Sequence, residues 1–326
     1  MTFFDALAAN LLSPAVLFFV LGLVAALTKS DLKFPEALYA GLTIYLLVAI
    51  GFKGGVAINE AGLGKVWLPS LAAMALGALI PLWTYPLLRF GGKFAAVDAA
   101  AIAAHYGSVS AVTFIAATNY LKAVDQPYES YATAFLAVME SPAILVGVVL
   151  GKLATSKRGA SDMSSLKAAM HEALFGRSIF LLVGALVVGA LCGKRGMDKV
   201  EPFFVAPFQG VLALFLLEMG LVAGRRLEDL RKVGPFLLAF GIVMPLLHGC
   251  LGVWLGQLTG LGLGGATLLG VLASSASYIA APAAIRMSLP DANPTYYLTA
   301  SLAITFPFNI ALGIPAYLAV ARWLYS

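Results

Sequence analysis

Two short stretches hold much of the polar chemistry inside an otherwise apolar chain: HYGSVSAVT, from His105 to Thr113, and LASSASYIAAP, from Leu272 to Pro282. Both set small hydroxyl side chains in the middle of segments long enough to cross a membrane. A helix interrupted at that depth frees backbone groups, which is tolerated only where they are buried in protein or line a cavity. Freed N–H groups at a half-helix start carry partial positive charge, and serine hydroxyls add rotatable donors. The chemistry suits a small oxyanion without any Arg or Lys. Ser108, Ser110, Thr113, Ser275 and Ser277 are the substrate candidates. The plainer alternative is that these hydroxyls bond back to carbonyls of their own helices. Pro282 is expected to interrupt the backbone ladder of the second stretch.

Ionisable groups inside apolar spans are the next signal, because they are expensive in hydrocarbon. Glu140, in VMESPAI, is the leading cation ligand or proton carrier. The corresponding region of the second half, ITFPFNI, offers Asn309. Carboxylate, hydroxyl and carbonyl oxygens suit a hard cation such as sodium, so Glu140, Ser110, Ser277 and Asn309 are the cation candidates. Glu218 and His248 are weaker ones, and a lone histidine such as His248 reads better as an interhelical hydrogen-bond partner. His105 directly precedes the first serine cluster. Asp98 reads as an N-cap. Cys192 and Cys250 have no metal-ligand spacing and read as small buried hydrophobes.

The elements that must position these residues follow from composition. The chain is 61% hydrophobic and 11% charged, with a mean hydropathy of +0.92, whereas soluble domains carry about 25% charged residues. This is an all-α integral membrane protein. Ten apolar stretches reach membrane-spanning length, at about 9–28, 36–52, 66–88, 97–120, 130–153, 176–193, 203–223, 234–257, 263–286 and 296–323. The first is expected to be retained as a helix, because Met1 to Ser13 has no Lys or Arg and carries Asp5 where a signal peptide would be basic.

The spans repeat. Gly41, Gly51 and Gly55 match Gly210, Gly220 and Gly224 at an offset of 169, and Ser108 and Ser110 match Ser275 and Ser277 at 167. Tyr131, Thr133, Ala134, Leu136, Ala137 and Gly147 match Tyr297, Thr299, Ala300, Leu302, Ala303 and Gly313 at 166. Such spacing is the trace of duplication in transporters. A five-helix unit crosses an odd number of times, so its second copy is inverted. The reading is 1–154 as the first repeat, 155–175 as a cytoplasmic linker and 176–326 as the second repeat, with helices four and nine interrupted. Gly51, Gly55, Gly220 and Gly224 read as close helix packing. Of the 21 Lys and Arg, 14 fall in the odd-numbered loops, which places both termini outside. The net charge of +5 is spread over loops, not gathered into a nucleic-acid patch.

In their order and spacing, the stretches IGFKGGVAI, VDA, GSVSAVT, RKV, PLLHG and SSASYIAAPAAIRMSLPDANPTYY carry a likeness over nearly the whole length. By them the chain resembles the sodium-dependent bicarbonate transporter family. The resemblance implies sodium-coupled bicarbonate uptake by alternating access in the bacterial cytoplasmic membrane, with a substrate shell of Gly107, Ser110, Thr113, Ser275, Ala276 and Ser277. It also implies a homotrimer, a PII-like regulatory partner on the cytoplasmic side, sodium as coupling ion with no further cofactor, and a mobile core of helices four, five, nine and ten. Tyr278 and Glu140 each stand where the cyanobacterial members have Asp. Other readings are a transporter of another small anion, a sodium/proton exchanger, or a membrane-embedded enzyme. The last is disfavoured because no nucleophile elbow, HExxH or paired acidic motif is present.

Overall fold

The computed structural model describes residues 11–155, 171 and 175–326. Most of the linker expected at 155–175, and the start of the first expected span with Asp5, lie outside the described residues. Among the described residues the chain is helical without strands, and seven helical stretches are long and apolar enough to cross a membrane. One of them, 208–258, is 51 residues long and contains two helices. The chain is a multi-pass membrane protein. Leu191 is 81% exposed and Trp323 75%; such outward apolar side chains need lipid as their neighbour.

In chain order the helices are α1 (Pro14–Leu27), α2 (Glu36–Ala61), α3 (Leu63–Gly91), α4a (Ala96–Gly107), α4b (Ala111–Ala123) and α5 (Thr133–Thr155). The second half follows with α6 (Arg177–Phe204), α7 (Phe208–Arg226), α8 (Leu230–Leu258), α9a (Leu263–Ser274), α9b (Ala280–Ser288) and α10 (Pro294–Leu324). Two helices outrun their hydropathy. The span expected to end at residue 52 continues to Ala61, where the Asn59 amide donates to the Ala190 carbonyl of α6 (2.9 Å). Helix α6 continues past Gly193, whose φ of +58° bends the chain in a conformation costly for any other residue.

Two packing groups result. Helix α1 lies along α7, and α2 along α6. Glycine makes both contacts possible: a Cβ on Gly22 would strike the Leu217 carbonyl, one on Gly220 the Phe19 carbonyl, and one on Gly55 the Leu186 carbonyl. In lipid, where apolar burial drives little association, such close backbone approach supplies the van der Waals contact that holds helices together. Exchanging α1 with α6 and α2 with α7 leaves the pairing unchanged.

The second group packs α3, α4a and α5 together, and α8 against α9a and α10. Helices α3 and α8 therefore side with the interrupted helices, although the mobile core that the resemblance implies holds only helices four, five, nine and ten. The cause is polar as well as steric. Trp83 Nε1 of α3 donates to His248 Nε2 of α8 (2.9 Å), and Thr305 Oγ1 of α10 bridges the Tyr106 hydroxyl of α4a and the Gly241 carbonyl of α8, at 2.7 Å each. From Ala99 to Ala104 every residue of α4a is fully buried, as expected of a helix apolar on all sides.

Three expectations change. Asp98 is not an N-cap: it lies in the first turn of α4a and its Oδ1 accepts from the Asn293 N–H (2.7 Å), tying α4a to the start of α10. Cys192 and Cys250 are exposed, because they lie on outward faces of α6 and α8. Pro282 does not make the second break, which lies upstream; it sits in the first turn of α9b, where no intrahelical N–H is needed.

Candidate functional site

The serine stretches are where α4 and α9 lose their helices. Ser108 (φ −81°, ψ 171°) ends α4a, and Ser275 (φ −80°, ψ 162°) ends α9a, both in extended conformation. The two extended segments bond to each other. The Ser277 N–H donates to the His105 carbonyl (2.9 Å), and the Ser110 N–H donates to Ser275 Oγ (2.9 Å), which itself donates to the Leu272 carbonyl (2.8 Å). At the offset of 167 that relates the clusters, Ser277 to His105 corresponds to Ser110 to Leu272. One link is direct; in the other the Ser275 hydroxyl is inserted as a relay. Ser275 thus combines the back-bonding alternative with a bond across the crossing.

The same offset relates Ser110 and Ser277, each of which accepts from a first-turn N–H of the helix that follows it. Ser110 Oγ accepts from the Thr113 N–H (3.1 Å) and from Thr113 Oγ1 (2.9 Å), and donates to the Tyr278 hydroxyl (3.1 Å). Ser277 Oγ accepts from the Ala281 N–H (3.2 Å). Each serine satisfies one first-turn donor and leaves neighbouring N–H groups directed at the crossing. Two positive half-helix ends, those of α4b and α9b, therefore meet at one point.

A small cavity lies there, lined by Val109, Ser110 and Ala111 from the first break, Tyr278 and Ile279 from the second, and Glu140 with Leu136 from α5. The space open to a water's centre is about 10 Å³, room for about one water. Glu140 is 6% exposed. It has no hydrogen-bond or ion-pair partner among the described residues, although buried carboxylates are otherwise almost always paired. A buried, unpaired carboxylate beside serine oxygens suits a small hard cation, while the half-helix ends suit an anion.

Of the residues expected from the sequence, Ser110 and Glu140 come together in this cavity, Ser275 and Thr113 are each one hydrogen bond from Ser110, and Ser277 precedes the cavity-lining Tyr278 in the chain. Gly107 lies elsewhere, against α3, where a Cβ would press on Pro81 Cγ at 2.5 Å. Ser108 is fully buried with no partner for its hydroxyl among the described residues, and Ala276 is 3% exposed. Asn309 is engaged on both sides: Nδ2 donates to the Ser274 carbonyl (3.0 Å) at the end of α9a, and Oδ1 accepts from Tyr317 (3.0 Å). His105 donates from Nδ1 to the Ala101 carbonyl (2.7 Å) and stacks on Tyr297. His248 accepts from Trp83, as a lone interhelical histidine should. Tyr278, which is not among the site residues expected from the sequence, is part of the cavity; its adjacency to Ser277 is the sequence signal that marks it.

The model of the Na+-dependent bicarbonate transporter superfamily matches residues 14–322. The chain belongs to this superfamily. No curated protein matches the chain. Membership makes a transporter the frame for the crossing. Its two break segments and every cavity-lining residue lie inside the matched range.

Proposed function

We propose that this protein is a symporter that couples bicarbonate uptake to sodium at the crossing of the two interrupted helices, by alternating access. The observation that carries the proposal is the sharing of one cavity by two half-helix starts, the Ser110 hydroxyl and the unpaired Glu140 carboxylate. The helix starts and Ser110 favour the anion; Glu140 with serine oxygens favours sodium. Ser277 and Asn309 belong to the sodium shell in this reading. The cavity as it stands holds about one water, so a bicarbonate ion with its four heavy atoms requires it to widen. Relative movement of the packing groups, α1/α2/α6/α7 against α3/α4/α5/α8/α9/α10, would supply the room.

Coupling has an electrical reason. Moving one anion into an inside-negative cell costs about 2.3 kcal/mol per 100 mV, and one co-transported sodium cancels that term. The arrangement we favour is ten crossings in two inverted repeats, both termini outside, in the bacterial cytoplasmic membrane. A homotrimer and a PII-like cytoplasmic partner complete the reading, supported by family likeness alone. The test is uptake of radiolabelled bicarbonate into proteoliposomes with and without an inward sodium gradient. Sodium-dependent uptake that is lost in Ser110→Ala supports the proposal. Folded, inserted protein without bicarbonate flux in either condition refutes it.

A further inference from the structure

A second and larger cavity, about 280 Å³ on the same measure, opens beside α2, α4b and α5. Its walls include Lys53, Lys122, Thr118, Thr133 and Asn119, with Glu60 at the exposed margin. Three helices line both cavities in successive turns. On α2 the series runs Leu47, Ile50, Lys53; on α4b it runs Ala111, Phe114, Thr118, Lys122; on α5 it runs Glu140, Leu136, Thr133. Steps of three or four residues keep each series on one helix face. The larger cavity is therefore a vestibule stacked on the crossing, and Leu47, Ile50, Phe114 and Leu136, each at most 6% exposed, form the apolar layer between them.

Lys122 is exposed in the last turn of α4b, where a helix C-terminus favours a cation; Lys53, half-buried in α2, is poorly explained by the protein alone. Lys53 and Lys122 line the same cavity with like charges. Neither has a carboxylate within ion-pair distance among the described residues, and the Glu60 carboxylate at the margin does not reach them. Lys53 places Nζ over the Phe208 ring, 4.3 Å from its centroid. That contact holds the ammonium by one side and leaves its N–H donors for another partner. Two like charges facing one cavity are unfavourable until a counter-charge lies between them. At the offsets of 169 and 167 Lys53 and Lys122 correspond to Val222 and Leu289, while the vestibule's Val56, Ala57 and Asn119 correspond to Arg225, Arg226 and Arg286, so the two repeats carry their cations at different positions.

We infer that this vestibule is a second anion-binding site, in which Lys53 and Lys122 concentrate a small inorganic oxyanion above the apolar layer before it passes to the crossing. The inference rests on the symport reading for the identity of the anion and on the loop charges for the outer side. Its chemistry also admits chloride, which the test separates. An unpaired charge pair in a cleft focuses the field and raises the local anion concentration, an effect of about 10-fold or more that salt screens.

The full-length protein, reconstituted, provides the test. Lys53→Gln/Lys122→Gln should raise KM for bicarbonate about 10-fold with kcat within about twofold, and should abolish the rise of KM with ionic strength. Lys53→Arg should keep the wild-type KM, separating lost charge from damaged packing. Independently of transport, bicarbonate should slow amine-reactive labelling of Lys53 and Lys122 in the wild type, read by mass spectrometry, and chloride should do so less. An unchanged KM and salt dependence in the double variant overturns the inference, as does labelling indifferent to every anion tried. Labelling slowed by bicarbonate without any bicarbonate uptake would refute the symport reading and leave the vestibule site standing.

Discussion

Glu140→Gln removes one charge from the cavity while preserving shape, and its consequence can be worked from the burial. A cation at about 4 Å from a carboxylate gains about 4 kcal/mol at an effective dielectric constant of 20. Desolvation of the pair offsets part of this, and the glutamine carbonyl still offers one oxygen. A net loss of about 2 kcal/mol remains, which is roughly 30-fold in sodium affinity. The assay is radiolabelled bicarbonate uptake against external sodium. The half-saturating sodium concentration should rise about 30-fold, while KM for bicarbonate at saturating sodium stays within about threefold. Thermal unfolding in detergent gives a second readout. Without sodium the variant should melt higher than the wild type, because an unpaired buried carboxylate costs free energy; added sodium should raise the wild-type melting temperature more than the variant's. An unchanged sodium dependence in folded Glu140→Gln protein would refute the assignment of this carboxylate to the coupling ion.

Ser275→Ala should lower the melting temperature, since it strands the buried Ser110 N–H at a cost of about 1–3 kcal/mol; a melting curve equal to wild type would remove the relay from the account. Gly55→Leu should abolish accumulation of folded protein, because its side chain starts inside the Leu186 carbonyl, whereas Gly41→Ala, which faces open space, should be tolerated; fluorescence-detected size exclusion distinguishes them. Trp83→Phe should destabilise the α3–α8 contact by about 1–3 kcal/mol by leaving His248 Nε2 without its donor, measured as a lower melting temperature with sodium dependence intact. In a background with Cys192 and Cys250 replaced by serine, Lys65→Cys should react with a membrane-impermeant maleimide added outside and Arg231→Cys only after permeabilisation; the reverse pattern would invert the proposed orientation.

Composition and residue type carried much of the architecture, because the membrane acts on each segment locally. Apolar stretches of spanning length must become helices to satisfy their own backbone, and the serine clusters marked the two places where they do not. Glu140 stood out for the same reason, as a carboxylate whose cost in hydrocarbon demands a use. Helix lengths were less legible: α2 outruns its hydropathy at Lys53 because the vestibule and the Ala190 carbonyl receive its polar end.

What tertiary structure alone decided was which of these groups face one another. The crossing brings together Ser110 and Ser275, 165 residues apart, and Ser110 and Tyr278, 168 apart. No local pattern states that Gly107 would serve the contact with Pro81, that Asn309 would be spent on the end of α9a, or that Asp98 would hold the turn before α10. Those outcomes depend on the angle and depth at which two distant breaks meet, and the packed neighbours of both halves set that geometry together.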